Sequence, residues 1–257
     1  MGKIIAITNQ KGGVGKTTSS INLSASLAHL GHKVLLVDMD PQANASTGIG
    51  VYKGDAELTV FDLLVDEIPT NQVILKTNEE NLFLIPSSQE LAGFEAMIVM
   101  EKEREFKLLP KLEQVKDYFD YIIIDCPPSL GLLTINALSA ADSTLIPVQC
   151  EYYALEGVSQ LMQTIKLVKS RLNPNISIQG VVLSMFDGRA NLSIQVVEEV
   201  KKYFKGSVYT TLIPRNVRLA EAPSHGMPVI YYDTKCRGTV AYLELAEEFI
   251  DLEEDII

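Results

Sequence analysis

The chain has 257 residues, of which 47% are hydrophobic and 21% charged, and its formal net charge is −11. This balance fits a globular α/β protein with ample core and excludes a uniformly basic nucleic-acid binder. No apolar run approaches the ~20 residues of a membrane helix, and the N-terminus leads straight into a strand without room for a signal peptide, so a cytoplasmic protein is expected.

The first apolar run, Ile4-Ile5-Ala6-Ile7, predicts a strand. A glycine-rich stretch follows, Gln10-Lys11-Gly12-Gly13-Val14-Gly15-Lys16-Thr17-Thr18, and then Ile21, Leu23, Leu27 and Leu30 at roughly helical spacing, ending at Gly31. Strand, glycine-rich loop and helix form the context in which Gly-Lys-Thr reads as a phosphate-binding loop. Without Cβ atoms, Gly12, Gly13 and Gly15 let the backbone turn its N–H groups around phosphate oxygens, and the helix N-terminus adds further donors. Lys16 would reach the β- and γ-phosphates, and the Thr17 hydroxyl would hold Mg²⁺. The strict pattern G-x-x-x-x-G-K-[ST] is not met, because Gln10 stands at the first-glycine position and a second lysine, Lys11, follows it. The stretch predicts a nucleoside triphosphate site.

Residues 33–38 read as a buried strand running into Met39-Asp40-Pro41, and 42–57 as a mobile loop. Then come a short helix over 58–65, a strand over 81–86, one helix over 88–118 and the most hydrophobic strand, 121–125, closed by Cys126-Pro127-Pro128. Helices over 130–141, 155–172, 192–204 and 240–250 alternate with strands over 143–148, 176–184 and 208–213. This alternation predicts α/β architecture, a doubly wound, mostly parallel sheet with helices on both faces, with residues 1–257 as a single domain. Cys126, Cys150 and Cys236 are odd in number and widely spaced, with no C-x-x-C pair, and read as small buried hydrophobes. The three histidines are scattered and suggest no zinc site.

Ligands of such sheets bind beyond the carboxyl ends of the strands, where three aspartates stand. Asp125, ending its apolar strand, suits a Walker B role, polarising the metal shell through a bound water. Asp38 and Asp40 fall on one side by strand alternation. Asp40 is the better placed to orient the attacking water, and Asp38 reads as structural. For Lys11 the spacing leaves two readings open, a cation for the γ-phosphate of its own or a neighbour's nucleotide, or an exposed loop lysine. Residues 166–237 carry eleven Lys and Arg against five Asp and Glu, so the remainder holds a charge of −17. That segment can hold a polyanion or simply present solvated helix faces.

These residues resemble a known family. Lys11-Gly12-Gly13-Val14-Gly15-Lys16-Thr17-Thr18 is similar to the deviant Walker A of the ParA/MinD class of SIMIBI P-loop NTPases. Asp38-Met39-Asp40-Pro41-Gln42 and Asp125-Cys126-Pro127-Pro128-Ser129 resemble its second and third motifs. Met185-Phe186-Asp187-Gly188-Arg189, with the stretch from Ile213 to Pro223, looks like the C-terminal motifs of the chromosomal, Soj-type ParA branch. The resemblance implies an ATPase using ATP and Mg²⁺. It implies that Lys11 crosses to the partner's ATP in a sandwich dimer, that Lys16, Thr17, Asp40 and Asp125 are phosphate, metal, water-activating and Walker B residues, and that Pro214 and Asn216 contact adenine. It further implies that Arg189 and Arg218 bind non-specific double-stranded DNA in an ATP-dependent homodimer. A ParB-type centromere-binding partner that stimulates hydrolysis, and a nucleoid-associated location, follow from the same resemblance.

Two rivals share the fold. A MinD-like membrane-cycling ATPase uses a basic amphipathic C-terminal helix, whereas residues 239–257 here hold seven acidic residues and no Lys or Arg, a tail that anionic lipid repels. A metallocluster-dependent relative needs paired interface cysteines, which Cys126 lacks. A small-molecule ligase or kinase would need a substrate pocket that the sequence does not reveal.

Overall fold

The computed structural model describes residues 2–151 and 154–254, with the side chains of 154–157 and of 254 outside the description. The strands are β1 (Lys3–Ile7), β2 (Val34–Asp38), β3 (Leu75–Lys76), β4 (Leu82–Ile85), β5 (Tyr121–Asp125), β6 (Ser143–Gln149), β7 (Ser177–Phe186) and β8 (Val208–Pro214). The helices are α1 (Lys16–His29), α2 (Asn44–Gly48), α3 (Val60–Val65), α4 (Phe94–Met97), α5 (Leu109–Glu113), α6 (Leu132–Ala140), α7 (Ala154–Arg171), α8 (Asn191–Phe204), α9 (Val217–Glu221), α10 (Val229–Tyr232) and α11 (Arg237–Glu254). One sheet runs in the order β3-β4-β2-β5-β1-β6-β7-β8, parallel except for β3.

Both faces of the sheet are covered, and the period of two along each strand shows it. Ile5, Ile7, Val34, Leu36 and Ile123 point into a core shared with α1 and α11. Their neighbours Ile4, Ala6, Leu35, Val37, Ile122 and Ile124 point into the opposite core with α3 and α6. A third cluster joins β6 and β7 to α7 and α8 through Val148, Leu161, Leu183 and Val200. The doubly wound sheet expected from the alternation is present.

Chain direction makes the crevice. From β1 the chain passes through α1 to β2, beyond β5, whereas from β5 it passes through α6 to β6, beyond β1. These opposite departures part the loops at the carboxyl ends of β1 and β5. The register places Asp125 beside Ile7 on one side and Asp38 on the other.

Two expectations are corrected. Residues 42–57, expected as a mobile loop, are not loop throughout, because α2 forms within them. The buried Asp38 carboxylate accepts hydrogen bonds from Ser46 N–H and Oγ, each at 2.8 Å, which draws that turn onto the strand end and buries Ala45. Residues 88–118 are not one helix but short 3₁₀ and α turns. Glu103 occupies the left-handed region, Pro110 stands in the first turn of α5, and Asn136 of α6 bonds Leu108 N–H and Arg104 C=O. Of the apolar residues at helical spacing, Leu91, Phe94 and Leu112 are buried, Phe106 and Leu109 are half-buried and Met97 is exposed, while Ile98, Leu108 and Val115 also turn inward. β3, α9 and α10 lay outside the expectation. Cys126 and Cys150 are buried, and Cys236 is half-buried. Among the described residues no helix is long and apolar enough to cross a membrane. The acidic C-terminal segment is described through Glu254, and its last three residues lie outside the described residues.

Candidate functional site

The loop between β1 and α1 is anchored at both ends. Asn9, buried, donates Nδ2 to Pro147 C=O at 2.7 Å and accepts Lys11 N–H on Oδ1 at 3.0 Å. On the far side Ser184 Oγ donates to Val14 C=O at 2.7 Å. Gly13 and Gly15 take positive φ, 74° and 91°, a conformation that costs glycine nothing and lets the loop wrap. No side chain caps α1, so its first-turn N–H groups are left for an anion.

Lys16 is 6% exposed and its Nζ donates to Lys11 C=O at 3.1 Å, folding the cation back over the loop. Burial lowers its pKa, and the nearby Asp125, Cys126 and Asp40 oppose that shift. Asp125 is fully buried. Ser20 Oγ, one turn after Lys16, donates to its Oδ1 at 2.7 Å, while Oδ2 has no hydrogen-bond partner. Burial and the Asp38 charge push Asp125 up to about 7. Such an orphaned buried carboxylate oxygen is costly unless a cation or its water comes to it. One hydroxyl (Thr17), one carboxylate and incoming phosphate oxygens form the sparse, hard donor set that suits Mg²⁺, which retains several waters. The residues fit the metal and the triphosphate.

The two second-strand aspartates part company. β2 ends at Asp38, so strand alternation does not carry on to Asp40. Asp38 Oδ1 accepts Asp40 N–H at 3.1 Å and Oδ2 is taken by Ser46, which makes it the organiser of the turn. Burial raises its pKa to about 6. Asp40 is 7% exposed and accepts Gln42 N–H on Oδ1 at 2.9 Å.

A cavity of about 380 Å³ opens beside the loop, lined by Gly15 and Thr18, by Ser184 and Met185 at the end of β7, by Pro214 and Asn216, and by Tyr242 of α11. Pro214 and Asn216 thus stand together with the glycine-rich loop, 200 residues away in sequence. Asn216 caps α9, its Oδ1 accepting Arg218 N–H at 2.8 Å, which leaves the amide nitrogen as donor toward a base. Sequence reasoning missed Asn9, Ser20, Ser184 and Tyr242, and named Met185 only as part of the 185–189 motif. Only Ser20 carried a signal, four residues from Lys16 and so on the same helix face.

Lys11 lies apart from the cluster. Its Nζ is 3.7 Å from Glu151 Oε2 and its side chain is 34% exposed. Arg189 is 92% exposed and pairs with Asp187, while Arg218 pairs with Glu221 at 2.7 Å and Asp233 at 3.3 Å. Both arginines stand outside the cleft, each already facing a carboxylate.

A family model described as an AAA domain matches residues 2–178. The chain is 61% identical over 248 residues to the sporulation initiation inhibitor protein Soj of Bacillus subtilis, covering 96% of this chain and 98% of that one. It is 52% identical over 250 residues to the chromosome-partitioning ATPase Soj of Treponema pallidum, covering 97% and 98%. A solved structure of cobyrinic acid a,c-diamide synthase from Mycobacterium smegmatis, with bound ATP analog and magnesium, aligns with a TM-score of 0.86 at 34% identity over 96% of this chain and 93% of that one.

Proposed function

The chain belongs to the Soj/ParA family of chromosome-partitioning P-loop ATPases, and on that premise we propose that it is a nucleotide-gated switch whose ATP-bound pair holds double-stranded DNA without regard to sequence. It is an ATPase using ATP and Mg²⁺. The diamide synthase likeness, at 34% identity, is far below the 61% to the Soj protein, so the partition reading is preferred.

Residues 12–18 hold the triphosphate with backbone N–H groups and the Lys16 ammonium. Magnesium, when bound, neutralises phosphate charge and polarises the phosphoryl oxygens. Thr17 supplies it a hydroxyl and Asp125 a carboxylate through water. Asp40 orients the attacking water, a positioning task that does not require a strong base. Pro214 and Asn216 bound the base. The whole chain acts as one domain.

The observation that carries the switch is Lys11. Its backbone carbonyl holds Lys16, yet its own ammonium leaves the loop and stands half-exposed beside Glu151. A cation so placed is suited to the nucleotide of a second copy. Pairing then brings Arg189 and Arg218 of two subunits into one basic surface, and loss of the γ-phosphate dissolves it. A ParB-type partner accelerates hydrolysis, and the protein works on the nucleoid in the cytoplasm.

The test is binding to non-specific duplex DNA with ATP, ADP or no nucleotide across a salt series. Binding is expected with ATP only, falling steeply with salt, and absent in Lys11→Ala and Arg218→Glu. DNA binding indifferent to nucleotide overturns the switch.

A further inference from the structure

Two fully buried carboxylates lie side by side at the carboxyl ends of β2 and β5, Asp38 and Asp125. They are satisfied very differently. Asp38 is engaged through both oxygens, Oδ1 by Asp40 N–H and Oδ2 by Ser46. Asp125 accepts Ser20 Oγ–H on Oδ1 at 2.7 Å, and among the described residues its buried Oδ2 has no hydrogen-bond partner. The second carboxylate is therefore held from one side and open on the other.

A helix places the donor. Ser20 stands one turn beyond both Lys16 and Thr17, so α1 carries the ammonium for the phosphates, the hydroxyl for the metal and the hydroxyl for Asp125 within its first five residues. Ser20 is fully buried, and its oxygen is also 3.0 Å from Lys16 C=O. One hydrogen faces two acceptors, and the charged one at the shorter distance binds it more strongly. The Lys16 carbonyl has no need of it, because the helix itself supplies a backbone donor there. The same helix offers a comparison in Ser24, one turn further on. Ser24 is equally buried, yet among the described residues its hydroxyl has no hydrogen-bond partner.

We propose that Ser20 is a positioning residue for magnesium, fixing the Asp125 carboxylate by Oδ1 so that Oδ2 stays available to the water shell of the ion. The inference rests on the role given to Asp125 above. Mg²⁺ demands near-ideal octahedral geometry, so a carboxylate that reaches it through water has to be held in one orientation. Ser20 is the side chain that holds it.

The experiment follows the fluorescence of N-methylanthraniloyl-ADP on the full chain, first in EDTA and then across buffered free Mg²⁺. It reads two quantities, the metal-free nucleotide affinity and the Mg²⁺ concentration that half-saturates the tightening. Ser20→Ala is expected to raise the half-saturating Mg²⁺ ~10-fold, the effect of losing an outer-shell partner. Its metal-free affinity should stay at the wild-type value, since the loop and Lys16 hold the phosphates. Ser24→Ala should match the wild type in both quantities. Ser20→Cys, close to serine in size and a weak donor, should shift the Mg²⁺ requirement the same way by less, and it carries the test where the alanine variant does not fold. A wild-type Mg²⁺ requirement in Ser20→Ala overturns the inference. So does a metal-free affinity that falls in step with it, which would mark Ser20 as a support of the loop. Asp125→Asn separates the premise from the inference. An unchanged requirement in that variant overturns the reading of Asp125 and this inference together, whereas a change there without one in Ser20→Ala overturns this inference alone.

Discussion

Asp125 shows how the site stores the demand for its ligand. Between its ordinary value of 3.8 and about 7 the folded chain holds a proton on it that the unfolded chain does not. Stability therefore falls as pH rises through that window, opposite in sign to an ion-paired carboxylate. Asp125→Asn removes the buried charge. In chelator and without nucleotide, the variant is expected to melt above the wild type at pH 8, the gap narrowing steadily toward pH 5. A gap that does not change with pH refutes the burial argument. With Mg²⁺ and ATP the order should reverse, since the wild type alone keeps the carboxylate. Thermal melts over a pH series with and without ligand read both effects.

At the scale of elements, α2 is the least expected and the most instructive. Its five residues, Asn-Ala-Ser-Thr-Gly, have little helical propensity and no side-chain cap. The turn exists because Ser46 satisfies Asp38 and Ser87 at once. Ser46→Ala leaves Ser87 N–H buried without its acceptor, so a loss of about 1–3 kcal/mol is expected from urea unfolding. Hydrolysis should fall along with stability, because Asp38 in turn holds Asp40 N–H. Unchanged stability would show that the turn is held by packing of Ala45 instead. The broken stretch 88–118 teaches the converse. Of the apolar residues at helical spacing there, Leu91, Phe94 and Leu112 are buried while Phe106 and Leu109 are half-buried and Met97 is exposed, and Asn136 takes backbone groups that a continuous helix would have used.

For the whole molecule, the charge asymmetry along the chain becomes an asymmetry in space. The segment with excess Lys and Arg contains β7, α8 and β8, and β7 and β8 are the last two strands at one edge of the sheet. α11 packs against β8 and α1 through Tyr242, Leu245 and Phe249, and beyond Arg237 at its start its exposed charged residues, Glu244, Glu247 and Asp251, are acidic. Such a helix lacks the cationic face that binds anionic lipid. Flotation with phosphatidylglycerol vesicles is expected to leave the protein unbound with ATP as with ADP. ATP-dependent flotation would favour a membrane-cycling role instead.

By itself the sequence determined the alternation of strands and helices, the glycine-rich loop, and the aspartate at the end of the central strand. These features are local, since a period of two or 3.6, a glycine needing positive φ and a carboxylate after an apolar run are all written within a few residues. Tertiary structure alone decided which neighbours complete them. Ser184 and Tyr242 reach the loop from distant elements, Asp38 and Asp40 receive different partners, and α2 is folded by a carboxylate eight residues upstream of Ser46. Burial and pairing depend on which strands lie side by side, and the order of strands in a sheet is a property of the whole chain rather than of any window along it.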